Sequence, residues 1–384
     1  MSKEIKPIEE ATAEPIAPEQ RGFAKALVKW QREHGRHDLP WQIHLHPYPV
    51  WLSEVMLQQT QVSTVRSYFA KFMARFPSVQ DLAQAHEDEV MALWSGLGYY
   101  SRGRRLHACA KAIVEHFSGE FPKDVERLKS LPGIGPSTAA AIASICFEQK
   151  AAIMDGNVSR VLARYLGYEG DLSLGQHQKK LLQLAQQLLP NRPQDMPTYT
   201  QGIMDLGATV CCPKKVRCES CPVQKTCHAY ARDQVHVLPL KSKKIKRTQK
   251  SIFWLIASNA LGQVLGGKRA QTGIWAGMYS FPEYDSEEAL RAAVPRGVKI
   301  RVLNVLRHEL THQSLSIHGF ASLYGERLES HAIKRPASGA KPDFDPWAGI
   351  KGFQWMSMND WAQVGRPKPV GDFLHQIDQD FQPL

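Results

Sequence analysis

The sequence predicts a multidomain protein: an all-α body over residues 20–228, followed by a smaller α+β domain over 251–384. Three observations lead there. Apolar residues recur at helical spacing from Phe23 to Val210, with no strand signal among them. Four cysteines, Cys211, Cys218, Cys221 and Cys227, then crowd into 17 residues. A basic, Pro-containing stretch, 229–250, follows as a linker, and beyond it the pattern switches to alternating strands. A chain of 384 residues has room for two domains or more.

Composition narrows the partners. Lys and Arg outnumber Asp and Glu by 48 to 37, for a formal net charge of +11. That excess suits a polyanion, nucleic acid first and a membrane surface second. No apolar run approaches the roughly 18 residues of a membrane span, so no membrane segment is expected. Residues 1–19 are polar, carry Pro and Glu, and lack the apolar core of a secretory signal; a disordered tail is expected there. A reducing, cytoplasmic compartment follows, in which seven cysteines point to metal or buried thiols rather than disulfides.

The elements come in order. Residues 20–36 have Phe23, Leu27 and Trp30 near one face of a helix. A proline-rich loop, DLPWQIHLHPYPV, leads into a helical run over 50–75 with room for one break. Glu54 stands inside VWLSEVML, among Trp51, Leu52, Val55, Met56 and Leu57. Two readings fit it: a solvated residue on an amphipathic helix, or a desolvated carboxyl kept protonated to serve a leaving group. Residues 78–94 form another amphipathic helix, ending in SGLGYYSRGRRLH, where two tyrosines adjoin Arg102, Arg104 and Arg105. Aromatics beside such a basic cluster suit stacking into nucleic acid, or the closing of a helix corner.

Helices over 105–118 and 124–131 precede the turn LPGIGP. Pro136 suits the first turn of the next helix, 136–147. Gly133 and Gly135 allow a tight backbone with exposed amides, which makes either a phosphate site or an ordinary helix corner. Asp155-Gly156-Asn157 then opens a helix, with the acid in the capping position. Asp155 is a plain cap unless a second chemical group meets it. Helices run on through 157–190 and 198–210. The four-cysteine spacing is that of a metal centre, with zinc and a [4Fe–4S] cluster both candidates and Cys212 left over. Beyond the linker, SIFWLIAS and GQVLGGKR form a hairpin around Asn259-Ala260, SEEALRAAV a helix, and 301–324 strands; 326–345 is a loop.

Taken together, LPWQ, SEVMLQQTQV, GLGYYSR, LPGIGPSTA, MDGNVSRVL, MDLGA and the cysteine loop resemble the adenine DNA glycosylases of the MutY type, within the helix-hairpin-helix glycosylase superfamily. The resemblance runs from residue 20 to the C-terminus. It implies a helix-hairpin-helix glycosylase domain with a [4Fe–4S] cluster on Cys211, Cys218, Cys221 and Cys227, then a Nudix-like domain. It implies an enzyme of base excision repair that acts, as a monomer, on double-stranded DNA carrying adenine opposite 8-oxoguanine or guanine. By the same resemblance Glu54 is the general acid and Asp155 stabilises the sugar cation, with Asn157 supporting the site. Arg36, Trp41 and Asp205 lie near the flipped adenine. Gln59, Thr60, Leu97 and Tyr99 engage the 8-oxoguanine and fill the stack, and Gly133 and Gly135 hold the DNA backbone.

Two departures sharpen the reading. The lyase branch, which resembles endonuclease III, places a lysine after the hairpin; here Ser137 stands there, so base release without strand cleavage is expected. The acidic Nudix box is missing from YDSEEALRAAV, and the loop that reads 8-oxoguanine is Leu310-Thr311-His312, with Thr offering the hydroxyl. An endonuclease III-like lyase on oxidised pyrimidines, and a non-catalytic iron–sulfur protein that binds damage, are the alternatives.

Overall fold

The computed structural model describes residues 16–381 apart from 44, 243–245, 260, 297, 324–346 and 348. The loop expected over 326–345 and most of the expected N-terminal tail lie outside the described residues. Pro18–Gly22, at the edge of that tail, forms a 3-10 turn led by its proline.

Two compact units make up the chain: Met1–Ala83 with Ala108–Lys244, and Gln84–His107 with Ile245–Leu384. The first carries α1 (Phe23–His34), α2 (Pro40–Ile43), α3 (Pro47–Leu57), α4 (Val62–Arg75) and α5 (Val79–Gln84). The second unit takes up the chain with α6 (Glu87–Trp94), and α7 (Ser101–Phe117) runs from it back into the first. The first continues with α8 (Val125–Ser130), α9 (Pro136–Phe147), α10 (Gly156–Leu166), α11 (Gly175–Gln187), α12 (Met196–Asp205) and α13 (His228–Ala231).

The helical stretches over 50–75, 78–94 and 157–190 each divide in two, the first at a break the sequence left room for and the second where one helix was expected. The run over 50–75 breaks at 58–61, where Gln59 takes a left-handed backbone (φ 56°). The run over 78–94 breaks at His86, whose ring accepts the Asp88 amide and caps α6. Gly167, left-handed at φ 65°, ends α10 and splits 157–190. A periodic apolar face passes through such breaks unchanged, so periodicity alone does not reveal them.

The core of the first unit is built where α1, α9, α10, α11 and α12 turn apolar faces inward. Phe23 on α1 meets the Tyr165 ring of α10 at 4.5 Å. Helix α9 is Ala-rich and buried along its length, which lets α3 and α12 approach it closely. That close packing fixes α3, and Glu54 with it, against α9.

The second unit is α+β. Strands β1 (Thr248–Ser258), β2 (Val264–Lys268), β3 (Tyr279–Ser280), β4 (Glu283–Tyr284), β5 (Ile300–Val302), β6 (Leu306–Glu309), β7 (Gln313–Leu323) and β8 (Gln354–Met356) form one sheet. β1 and β7 run parallel over their full length, from Thr248 beside Gln313 to Ser258 beside Leu323. β1 and β2 form the expected hairpin, and the remaining described pairs are antiparallel. Helices α14 (Glu287–Ala293), α15 (Met358–Ala362) and α16 (Lys368–Phe381) complete it. α13 and β1 leave the connecting stretch shorter at both ends than 229–250.

Segment 84–107 belongs to this second unit through specific bonds. Lys268 pairs with Asp88 at 2.7 Å, the Arg366 amide donates to Ser95 Oγ at 3.0 Å, and Arg104 donates to the Ala276 carbonyl. Gly365 sits so close to Met91 that a Cβ there would lie 2.5 Å from the methionine's own Cβ.

Candidate active site and cysteine loop

Glu54 lies on α3 between buried Trp51, Leu52, Ser53, Val55 and Met56, and is itself half-buried. Burial pushes its carboxyl up to about 7, and the charge of Asp155 adds to the shift. The carboxyl is therefore desolvated rather than on a solvated helix face. Asp155 occupies a different environment. It is exposed at the N-terminus of α10, and its Oδ1 accepts the Val158 amide at 2.7 Å. One carboxyl is thus raised by burial, while the other sits at the N-terminus of a helix and accepts a backbone amide there.

The turn before α9 leads towards Asp155. Gly133 is left-handed (φ 79°), and Gly135 is the N-cap of α9 with nothing within 4 Å of where a Cβ would stand. Both glycines are exposed, so their backbone is open to a ligand. Ser137 is not directed outward. Its hydroxyl accepts the Met154 amide at 3.0 Å, which ties the first turn of α9 to the residue before Asp155.

Arg36 grips Asp205 with its backbone amide at 2.9 Å, Nε at 2.7 Å and Nη2 at 2.6 Å. Asp205 is fully buried; burial pushes its carboxyl up, and the Arg36 guanidinium opposes that. Trp41 is buried, edge-to-face on Phe69 at 5.3 Å. Gln59 is exposed in its left-handed turn, and the Thr60 amide donates to the Leu57 carbonyl at 3.2 Å.

In the second unit, a cavity of about 610 Å³ is lined by Tyr99, Arg104, Arg247, His308, Thr311 and His312, among others. Thr311 Oγ1 donates to Tyr99 Oη at 3.3 Å, and Leu310 lines the same cavity. Leu97 is buried under the loop, whereas Tyr99 is 43% exposed.

The four cysteines Cys211, Cys218, Cys221 and Cys227 line one small cavity with Val210, Val216 and Val235. Arg164 Nη1 lies 3.4 Å from Cys211 Sγ, in position to donate to a thiolate. Cys212 turns away, and its thiol donates to the Ala208 carbonyl. Four soft donors around an apolar hollow, with a guanidinium beside one sulfur, fit an anionic iron–sulfur group. Among the described residues, no three Cys, His, Asp or Glu side chains are drawn together tightly enough to hold a metal ion.

Two buried arginines on α10, which the sequence pattern did not single out, brace the site region. Arg160 donates to the Cys211 carbonyl (2.8 Å), the Gly207 carbonyl (2.8 Å) and Asn157 Oδ1 (2.9 Å). Arg164 donates to the Cys212 and Leu238 carbonyls. Together they join the helix that carries Asp155 and Asn157 to the cysteine loop. Their signal was present: two arginines four apart, on one face of RVLAR, with apolar residues between them.

No helix among the described residues is long and apolar enough to cross a membrane. The helix-hairpin-helix base excision DNA repair superfamily model matches residues 52–191, and a Nudix domain model matches 252–376. The chain is 38% identical over 359 residues to the adenine DNA glycosylase of Buchnera aphidicola subsp. Schizaphis graminum, covering 92% of this chain and 97% of that one. It is 34% identical over 300 residues to that of Buchnera aphidicola subsp. Baizongia pistaciae, covering 77% and 84%. It is 46% identical over 224 residues to the human adenine DNA glycosylase, covering 56% of this chain and 40% of that protein. The paired carboxyls, the glycine turn and the Nudix-like second unit therefore meet in one lineage, and the chain belongs to the adenine DNA glycosylase family.

Proposed function

We propose that this enzyme removes adenine paired with 8-oxoguanine, or with guanine, from double-stranded DNA and leaves an abasic site. The observation that carries the proposal is the contrast between Glu54, raised to about 7 by burial, and Asp155, an exposed capping carboxylate nearby. The target adenine leaves the stack for a pocket near Arg36, Trp41 and Asp205. Glu54 gives its proton to adenine N7, and the bond from N9 to the sugar breaks with its electron pair going to the base. Asp155 stabilises the cation left at the sugar, with Asn157 holding the same helix end. Water adds to the sugar carbon, and its proton returns to the Glu54 carboxylate.

Ser137 offers no amine for a Schiff base, and its hydroxyl is engaged with the Met154 amide, which supports base release without strand cleavage. Gly133 and Gly135 take a backbone phosphate on their amides. Gln59, Thr60, Leu97 and Tyr99, with Thr311 and His312, serve recognition of the base opposite adenine. Cys211, Cys218, Cys221 and Cys227 would hold one [4Fe–4S] cluster, whose part is to stabilise the loop and position DNA. The enzyme works as a monomer in the cytoplasm.

The test is base release from a matched set of duplexes by wild type and Glu54→Gln. Full activity of Glu54→Gln would sink the assigned mechanism. Trapping of a covalent adduct by borohydride on an oxidised-pyrimidine duplex would favour the lyase reading instead.

A further inference from the structure

The loop before α7 holds its backbone in an unusual state. Gly96 (φ 91°), Gly98 (φ 77°) and Tyr99 (φ 48°) are all left-handed. Glycine adopts that region freely, but a tyrosine there is strained by about 1–2 kcal/mol, so its surroundings must hold it. One side chain reaches most of what needs holding. The Arg102 guanidinium lies 5.3 Å from the centre of the Tyr99 ring and 5.5 Å from that of Trp94. Its Nη2 donates to the Gly98 carbonyl at 3.3 Å and lies 3.5 Å from the Leu97 carbonyl. Its own amide donates to the Tyr99 carbonyl at 2.8 Å. Trp94 Nε1 adds a second donor to the Gly98 carbonyl, at 3.1 Å.

The contrast in exposure gives the direction of the effect. Arg102 is 9% exposed and Tyr99 is 43% exposed. Burial lowers the guanidinium to about 10, with Tyr99 opposing, so it remains a cation at neutral pH. A cation shielded from water binds aromatic faces more strongly than one on the surface. It also draws the Leu97 and Gly98 carbonyls inward, which leaves the Tyr99 ring as the outward part of the loop.

We propose that Arg102 is a positioning residue, which locks the left-handed loop and aims the Tyr99 ring at the base opposite the target adenine. This rests on the reading above that Tyr99 engages that base. Arg102 needs no contact with DNA for this; it acts through Tyr99. Loss of Arg102 therefore weakens discrimination of the opposite base and leaves the chemistry at Glu54 intact.

The experiment compares Arg102→Lys, Arg102→Met and Tyr99→Ser with wild type. Melting confirms the fold, and single-turnover release is then measured for adenine opposite 8-oxoguanine and opposite guanine. Lysine keeps the charge and the stem but loses the planar fork, so it is not expected to rescue. Both Arg102 variants are expected to lose about ten-fold of the preference for 8-oxoguanine, roughly the worth of the contact removed. The rate opposite guanine should stay within about two-fold of wild type, on the same scale. The double variant Arg102→Lys/Tyr99→Ser should discriminate no worse than Tyr99→Ser. Folded Arg102 variants that keep the full preference, beside a Tyr99→Ser that has lost it, overturn the inference alone. An equal loss on both duplexes also overturns it, because that is the mark of general destabilisation. A Tyr99→Ser that keeps the preference overturns the reading beneath it as well. Should neither Arg102 variant fold, 3-fluorotyrosine at position 99 of the otherwise unaltered chain decides: a single shifted fluorine resonance supports a fixed ring, and a resonance averaged as in the unfolded chain refutes it.

Discussion

At the residue scale, Glu54 carries a stability penalty that its chemistry requires. Its carboxyl rises from an ordinary value near 4.5 to about 7, so the folded state holds a proton that the unfolded chain releases. Stability therefore falls as pH rises from about 4.5 to about 7, and the penalty is complete above that window. Glu54→Gln removes the charge and with it the slope. Its melting temperature should exceed that of wild type at pH 8, and the difference should vanish towards pH 4; calorimetry across pH measures this. Base release by Glu54→Gln should fall by about 10²–10⁴-fold, the usual contribution of a general acid. In wild type, single-turnover release should decline as pH rises through about 7, as the acid loses its proton. Asp155→Asn is expected to behave differently. Asparagine caps a helix about as well, so stability should stay within about 1 kcal/mol while catalysis is lost and mispair binding kept. Loss of binding together with catalysis would mark Asp155 as structural. The surroundings of both carboxyls were legible in the sequence because they are local, apolar neighbours along one helix and a cap position on another, whereas their proposed roles came only through the family resemblance. Arg160 and Arg164 were not legible, because the carbonyls they hold in the cysteine loop and beyond lie 47 to 74 residues away along the chain.

At the element scale, the turn before α9 separates two roles that the pattern LPGIGP runs together. Gly133 needs its left-handed backbone, so Gly133→Ala should destabilise the fold by roughly 1 kcal/mol and weaken DNA binding too. Gly135 has an ordinary φ of −84° and open space around it, so Gly135→Ala should leave the melting temperature unchanged. Its added methyl stands where a phosphate is expected, so filter binding should show weaker affinity at unaltered stability. Normal DNA affinity in Gly135→Ala would remove this amide from the interface. Helix α10 carries a second prediction. Arg160→Met takes the guanidinium donor from the buried Gly207 carbonyl and leaves the Cys211 carbonyl only the longer Arg164 contact at 3.5 Å, at a cost of roughly 1–3 kcal/mol, readable by thermal melting. With the proposed [4Fe–4S] cluster bound, the same variant should lose the visible absorption of that cluster at a lower temperature than wild type. The elements themselves were largely legible, because helical periodicity and capping residues are local signals. The position of the break in 50–75 was not, since Gln59 is not a residue type that announces a left-handed turn.

At the scale of the whole molecule, the compact units do not follow the order of the chain. Residues 84–107 read as one more stretch of the helical body, and nothing in their periodicity says otherwise. Their bonds run instead to residues 268, 276 and 366, far along the sequence. Such pairings are decided by tertiary packing, which local pattern does not encode. Hydrogen exchange in rising denaturant checks the consequence. Amides of α6 and the Tyr99 loop should lose protection together with β1 and β7, rather than with α9 and α10. The fold class itself was legible at this scale, because the change from helical to alternating periodicity after the cysteine loop is a compositional signal. The α+β unit, whose sequence lacks the acidic Nudix box, places Tyr99 and Thr311 on one cavity.

The most direct measurement is single-turnover base release on four duplexes: adenine opposite 8-oxoguanine, guanine and thymine, and an oxidised pyrimidine opposite guanine. Free adenine should appear from the first two, fastest opposite 8-oxoguanine, with strand breaks only after alkali. Release of the oxidised pyrimidine with spontaneous strand cleavage, or tight mispair binding with no base released, would contradict the assignment of Glu54 and Asp155 to adenine excision.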